Sequence, residues 1–142
     1  EKIINESLRI GKKSHEKCSY LSMPPLIINK KDIWSFKWSE AIPNFITHKK
    51  ITATVVGYKN KNKLKGAIVC IPYADPGFDW IFSHKIKGLI TAWGGSNSHM
   101  AIRAAEQGIP SVIGAGEILY NKYSSSKKIS IDCLNKKVEL IY

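Results

Sequence analysis

Cysteine is scarce in this 142-residue chain, and its few copies are poorly placed for cross-linking or metal binding. Cys18, Cys70 and Cys133 are far apart, odd in number and outside any C-x-x-C pattern. A disulfide framework needs paired cysteines and a zinc site needs closely spaced ligands, so the sequence argues against both and predicts no metal site. Free thiols are typical of a reducing compartment, which favours a cytoplasmic location.

Long apolar runs are also missing. No segment approaches the roughly 20 apolar residues that a membrane-spanning helix needs, so no membrane partner is predicted. Residues 1–6 are polar and lack the apolar stretch of a signal peptide. The chain does not begin with methionine, so we expect a piece of a longer polypeptide or a processed product.

Arginine is rare among the basic residues. Of the 22 lysines and arginines, only Arg9 and Arg103 are arginine, and the formal net charge of the chain is +11. Proteins that read nucleic-acid sequence rely on arginine for bidentate contacts to bases, so nucleic acid is not predicted as a partner. The positive charge can instead attract a polyphosphate ligand or an acidic partner domain.

Several common ligand-binding patterns are absent as well. The chain has neither the dinucleotide fingerprint G-x-G-x-x-G nor the phosphate loop G-x-x-x-x-G-K-[ST]. Residues 94–98 read G-G-S-N-S and lack the final glycine of the hydrolase elbow G-x-S-x-G. These absences disfavour a nucleotide-binding loop or a serine-hydrolase elbow within the chain.

Residues 1–45 are interpreted as an arm or linker from a larger enzyme. Partial helical spacing of apolar residues predicts a helix over residues 1–20, which Pro24 and Pro25 end. A short strand is predicted at residues 26–28. A second strand, with one aromatic face, is predicted from an alternating set: Trp34, Phe36 and Trp38.

Residues 46–142 are interpreted as one α/β domain of layered sheets with few helices. Apolar and β-branched runs predict strands at residues 51–56, 67–71, 88–92 and 111–113, with a helix at 98–107 that Gly108 and Pro110 end. Residues 79–82 are predicted to begin a short helix or turn. Residues 128–132 and 137–141 are predicted to form a closing hairpin with Asn135 in its turn. The strand–helix–strand order from 88 to 113 implies a parallel unit.

The glycine-rich turn before the predicted helix carries the most informative histidine. The first N–H groups of a helix have no intrahelical partner and favour an anion, so His99 at this point could carry a phosphoryl group. Arg103 lies one turn along the same helix face and could pair with a phosphate, with Glu106 or with another domain. The turn supplies further groups that could bind or position phosphate: Gly94, Gly95, Ser96, Asn97 and Ser98.

A plainer interpretation stays open on the residues alone: a helix capped by Asn97 or Ser98 whose histidine merely makes a hydrogen bond. The remaining histidines have no metal-ligand spacing and are interpreted as ordinary surface residues: His15, His48 and His84. Three carboxylates are interpreted as loop residues, any of which could lie near the active edge although their spacing assigns a role to none: Asp75, Asp79 and Glu117.

The motif around His99 resembles the phosphohistidine motif of the mobile, or swivelling, domain of phosphoenolpyruvate-utilising enzymes. That family reads G-[IL]-[LIV]-T, two residues, then G-G-x-T-S-H-A-A-I-x-A-R-E-x-G-I-P-x-[VI]-x-G. Residues 88–114 read G-L-I-T-A-W-G-G-S-N-S-H-M-A-I-R-A-A-E-Q-G-I-P-S-V-I-G. A weaker match extends over residues 46–142, which the resemblance identifies as the phosphohistidine domain with a three-layer β/β/α swivelling fold.

The resemblance implies a function for His99 as the phosphoryl carrier of a multidomain, dikinase-type phosphotransferase. An ATP-grasp domain of the same polypeptide would bind ATP and Mg²⁺ and supply a phosphoryl or pyrophosphoryl group, while this domain binds no cofactor itself. A second-site domain would present the acceptor, which is pyruvate/phosphoenolpyruvate or a small molecule such as L-glutamine. The isolated domain is expected to show no turnover.

Four positions depart from the family pattern. Asn97 replaces a threonine, Met100 replaces a small residue, and the family arginine is Ala105 here while Arg103 carries an arginine instead. This variant is similar to the L-glutamine kinase branch of the family. The departures also keep an alternative open, a catalytically degenerate interaction module of the same fold.

Overall fold

The computed structural model describes residues 2–18, 27–30 and 41–142. The chain divides into two compact units, Glu1–Ser39 and Glu40–Tyr142. The first unit contains helix α1 (Lys2–Cys18), and the side chains of residues 4–16 on this helix are all exposed. The helix predicted over residues 1–20 is thereby confirmed.

The other predictions for the arm fall partly or wholly outside the described residues. The strand predicted from Trp34, Phe36 and Trp38 lies outside them, as do Pro24 and Pro25. Of the strand predicted at residues 26–28, the last two residues are described and form irregular backbone, so that prediction is wrong there. The second unit begins at Glu40, and its first strand includes residues 44 and 45, which the predicted boundary places in the arm.

The second unit consists of seven strands, two α-helices and two 3₁₀ helices. In chain order these are β1 (Asn44–Ile46), β2 (Lys50–Gly57), a 3₁₀ helix (Lys61–Lys63), β3 (Ile68–Tyr73), a second 3₁₀ helix (Pro76–His84), β4 (Gly88–Trp93), α2 (His99–Glu106), β5 (Ser111–Ile113), α3 (Gly116–Ser124), β6 (Lys128–Asp132) and β7 (Lys137–Ile141). The strands predicted within residues 46–142, including the closing hairpin, are all present.

The seven strands form one mixed sheet in the order β1-β5-β4-β3-β2-β6-β7. Strands β2, β3, β4 and β5 are parallel, with Cys70 beside Ile90 and Ile90 beside Val112. Strand β1 joins β5 antiparallel at one edge, and β6 and β7 continue antiparallel from β2 at the other. The predicted parallel strand–helix–strand unit is therefore confirmed.

Alternation along the parallel strands supplies two apolar clusters, one on each face of the sheet. Val69 and Ile71 of β3 belong to the cluster that contains Met100, Ala101 and Ala104 of α2. The alternate residues of β3, Ile68 and Cys70, belong to the other cluster. That cluster also contains Ile129 and Ile131 of β6 and Tyr123 of α3. Helix α2, the parallel strands and the β6–β7 part of the sheet thus form the predicted three-layer β/β/α fold.

Helix α3 is the longest of the elements that the sequence did not predict, the others being strand β1 and the 3₁₀ helix Lys61–Lys63. It begins at Gly116, so Glu117 lies in the first turn of a helix, and the interpretation of Glu117 as a loop residue is wrong. Its sequence, G-E-I-L-Y-N-K-Y-S, contains glycine, asparagine and serine, which are weak helix formers. Leu119, Tyr120 and Tyr123 pack against the second apolar cluster, and this burial outweighs the weak propensity.

Cys70 and Cys133 are free and buried, as the sequence predicts for unpaired thiols. Burial raises the pKa of the Cys70 thiol to about 12, so this residue remains protonated and unreactive at neutral pH. No helix in the described parts of the chain has both the length and the apolar character needed to cross a bilayer.

Candidate functional site

The turn between β4 and α2 requires glycine at its first position. Gly94 has a φ of +133°, and a Cβ there would overlap the Cβ of Ala74 in the loop after β3. No residue with a side chain tolerates both the backbone conformation and this close approach. Gly95, Ser96 and Asn97 follow it on the exposed surface, so the turn presents polar groups and backbone to solvent.

Thr91 fixes the ends of β4 and β5 beneath this turn. Its fully buried hydroxyl accepts a hydrogen bond of 2.9 Å from the Gly114 N–H, and its carbonyl accepts one of 2.9 Å from the Ala115 N–H. These bonds tie the strand that leads into the turn to the strand that follows α2. The start of α2 is therefore held by two neighbouring strands.

Ser98, one of the two predicted N-cap residues, is the N-cap of α2, but its side chain does not cap the helix. Its carbonyl accepts the first intrahelical bond, from the Ile102 N–H at 3.1 Å, while its Oγ is buried and has no hydrogen-bond partner among the described residues. The N–H groups of the first turn have no intrahelical acceptor. The helix start thus retains both a hydroxyl and backbone donors that an anion could use.

His99 is the first residue of α2, and its imidazole is engaged by a carboxylate. Its Nε2 lies 2.9 Å from Oδ1 of Asp79, and both side chains are 42% exposed. Arg103 donates from Nε to the same Oδ1 at 3.1 Å and from Nη1 to Glu106 Oε2 at 3.0 Å. The four side chains form one hydrogen-bonded array at the surface.

The pKa values of two members of this array follow from these contacts. The hydrogen bond from His99, followed by the Arg103 guanidinium, lowers the pKa of the Asp79 carboxyl below its ordinary value. Hydrogen bonds to Glu106 and Asp79 raise the pKa of Arg103. Asp79 is therefore an ionised acceptor and Arg103 a permanent cation at neutral pH.

Asp79 is the site residue that sequence reasoning missed. It lies on the 3₁₀ helix Pro76–His84, whose start is capped by Asp75 through a 2.7 Å bond from the Gly77 N–H. This segment follows β3, and the turn before His99 follows β4, the parallel neighbour of β3. Carboxyl ends of parallel strands meet at one edge of a sheet, so the predicted strands already contained the signal.

The predicted site residues all lie in the turn before α2 or on α2 itself. Helix α2 begins at His99, and Gly108 follows its end with a φ of +62°, as predicted. Arg103 pairs with Glu106, one of its three predicted partners, and also joins His99 through Asp79. His48 is exposed, and His84 Nδ1 lies 3.2 Å from the Trp80 carbonyl oxygen. Over the described residues, no cluster of three or more His, Cys, Asp or Glu side chains could hold a metal.

The array predicts how Asp79 titrates. The pKa of its carboxyl should lie below the ordinary value of an aspartate, and His99→Ala should raise that pKa because the hydrogen bond from His99 is the largest cause of the lowering. A carboxyl with a lowered folded-state pKa stabilises the fold above its unfolded pKa, and this contribution is lost as pH falls through the folded pKa. Carbon-13 NMR of the carboxyl checks this, and an unchanged midpoint in the variant would contradict the role of His99.

Known proteins that resemble the chain include one enzyme sequence and two solved structures. A phosphoenolpyruvate synthase of Aquifex aeolicus (strain VF5) is 31% identical over 78 residues, which cover 55% of this chain and 9% of the synthase. A UPF0107 protein solved by NMR matches 71% of this chain and 98% of its own with a TM-score of 0.54, and at 14% identity this likeness concerns the fold alone. The NMR structure of an Enzyme I protein matches 57% of this chain and 33% of its own, at 26% identity and a TM-score of 0.46.

The family model that matches the chain covers residues 63–136, about half of its length. The match contains the loop after β3, the glycine-rich turn, helix α2 and strand β5, and so every residue of the hydrogen-bonded array. The chain spans only a small part of the synthase that it resembles. The chain belongs to the family of the PEP-utilising enzyme mobile domain.

Proposed function

We propose that this mobile domain is a phosphoryl carrier and that His99 is the residue that carries the group. The observation that supports the proposal best is the position of an exposed imidazole as the first residue of α2. The uncapped helix start and the Arg103 guanidinium provide donors and positive charge beside it. Both features would stabilise the negative charge of a phosphoryl group on His99.

The chemistry is nucleophilic attack by a neutral imidazole nitrogen on phosphorus. The ring nitrogen forms an N–P bond, the P–O bond to the donor breaks, and the leaving nucleotide takes the electron pair. The attacking nitrogen must be unprotonated, because its lone pair forms the new bond. In the second transfer the N–P bond breaks and an acceptor oxygen or nitrogen takes the phosphoryl group.

The helix start cannot drive this transfer by itself. An interaction with the helix dipole contributes about 0.3–1 kcal/mol, or ~2 kcal/mol in partly buried geometry, whereas enzymes lower barriers by roughly 8–23 kcal/mol. Most of the barrier must therefore be lowered by groups outside this domain. We infer that an ATP-grasp domain of the same polypeptide supplies ATP with Mg²⁺, and that the isolated domain has no turnover.

The acceptor would be bound by a further domain of the same polypeptide. Pyruvate/phosphoenolpyruvate is supported by the similarity to a phosphoenolpyruvate synthase. L-glutamine is the other acceptor to assay, because residues 97, 100, 103 and 105 depart from the common family pattern around the histidine. Both belong in the assay of the longer polypeptide.

Locating the phosphoryl group tests the proposal. The longer polypeptide that contains this chain is incubated with ATP labelled at the β or γ position, and acid-labile, alkali-stable label is mapped by peptide mass spectrometry. We expect the label at His99, and the position of the isotope distinguishes phosphoryl from pyrophosphoryl transfer. Label at another residue would overturn the assignment. Absence of label with ATP labelled at either position would favour an interaction module of the same fold.

A further inference from the structure

The Asp79 carboxylate lies where His99 and Arg103 both direct their donors. Its Oδ1 is 2.9 Å from Nε2 of His99 and 3.1 Å from Nε of Arg103. One oxygen atom therefore accepts from both side chains. A phosphoryl group bonded to this ring nitrogen would bring an oxygen into the same region, where the Arg103 guanidinium could donate to it.

An ionised carboxylate can only accept hydrogen bonds, so Nε2 must carry the proton that it shares with Asp79. A neutral imidazole has a single N–H, and its lone pair is then on Nδ1. The nitrogen at the tip of the ring is thus protonated in the structure as it stands. It cannot attack phosphorus until the proton has moved to Nδ1 and Asp79 has released it.

A phosphoryl group on Nε2 and the Asp79 carboxylate in its present position exclude each other. Both are anionic, and like charges at hydrogen-bond distance repel. Arg103 would remain beside the new group because it follows His99 by one helical turn. A second partner, Glu106, already orients its guanidinium at 3.0 Å.

We propose that Asp79 is a positioning residue whose Oδ1 takes the place of a phosphoryl oxygen between His99 and Arg103, and that it leaves this place when His99 is phosphorylated. The inference rests on the proposed function of His99. Asp79 keeps the resting imidazole oriented and less reactive at Nε2, and its charge destabilises the phosphorylated form. The phosphoryl group would therefore be easier to pass on.

Phosphoramidate tests this inference without any partner domain. It transfers its phosphoryl group to imidazole as its own P–N bond breaks, the N–P bond to the ring forms and ammonia leaves. The probe is potassium phosphoramidate with the 142-residue chain, and phosphorus-31 NMR with intact mass follows the product. Asp79→Asn and Asp79→Ala should phosphorylate about three- to tenfold faster at Nε2, and the product should last longer, because a charge-assisted bond at an exposed site is lost.

Asp75→Asn is the matched control, since it removes one negative charge from the same 3₁₀ helix and preserves a capping side chain. Its phosphorylation rate should equal that of the unchanged chain. Nitrogen-15 NMR of the ring supplies a second readout. The unchanged chain should show the Nε2–H tautomer, and the Asp79 variants should show a mixture.

Equal or slower phosphorylation of both Asp79 variants would overturn the inference, as would phosphorylation at Nδ1 in the unchanged chain. If Asp79→Ala does not fold, the rate of the Asp79→Asn variant alone tests the inference, because asparagine has the same shape as aspartate. Failure of the proposed function is seen separately, as absence of label from ATP at His99 in the longer polypeptide. The phosphoramidate rates do not depend on that result.

Discussion

His99→Ala is expected to abolish acid-labile phosphoryl label on the longer polypeptide and to reduce phosphotransfer to any acceptor to background. Alanine has no nitrogen that can attack phosphorus, so the covalent intermediate cannot form. The acid-labile, alkali-stable label is lost completely because neither neighbour can replace the imidazole nitrogen. Arg103 is a permanent cation, and the Asp79 carboxylate could form only an acyl phosphate, which alkali hydrolyses. The measurement is label incorporation from ATP, followed by transfer to added acceptor.

Two controls make this result specific. His48→Ala removes an exposed histidine that lies outside the array and should leave label incorporation unchanged. Thermal unfolding of the His99 variant should shift only slightly, because the imidazole is exposed, lies outside both apolar clusters and loses only its exposed bond to Asp79. Label that survives in a folded His99→Ala protein would exclude His99 as the carrier.

Gly114→Ala is expected to destabilise the domain strongly. Gly114 has a φ of +71°, and a Cβ there would overlap the carbonyl oxygen of Gly94. The left-handed backbone costs about 1–2 kcal/mol and the overlap about 1–3 kcal/mol, so we expect a loss of about 2–5 kcal/mol. Denaturant unfolding at equilibrium measures this loss.

The clash with Gly94 should also disturb the start of α2, since backbone cannot move aside as a flexible side chain can. Gly57→Ala is the control: a Cβ there meets nothing within 4 Å, and the variant should be neutral or more stable by up to about 1 kcal/mol. A Gly114→Ala protein as stable as this control would show that the turn can rearrange at little cost.

The local patterns of the sequence predicted the elements whose signals are complete within a few residues. The hairpin of β6 and β7 has the predicted limits because two alternating segments flank a short polar turn. The parallel strand–helix–strand unit from Gly88 to Ile113 was also predicted from local signals, namely two apolar runs and the helix stop signal at Gly108. In both places the signal and the structure that it specifies are neighbours in the chain.

The missed features depend on neighbours that are distant in sequence. Strand β1 pairs with β5, with Asn44 beside Ile113, and no local pattern in three residues could indicate that partner. Helix α3 is stabilised by burial of residues with weak helical propensity, so propensity alone fails there. The bond from Asp79 to His99 joins residues 20 positions apart, and it exists because β3 and β4 are adjacent.

The position of His99 at the carboxyl ends of the parallel strands leaves the opposite ends of α2 and β4 free for spectroscopic reporters. Helix α2 has eight residues and is therefore roughly 12 Å long, so a fluorophore at the exposed Gln107 would be about that far from the imidazole. The exposed Lys87, just before β4, offers a second attachment point at the same end. Energy transfer between such a dye and one on another domain would reveal the travel of the histidine during a reaction cycle.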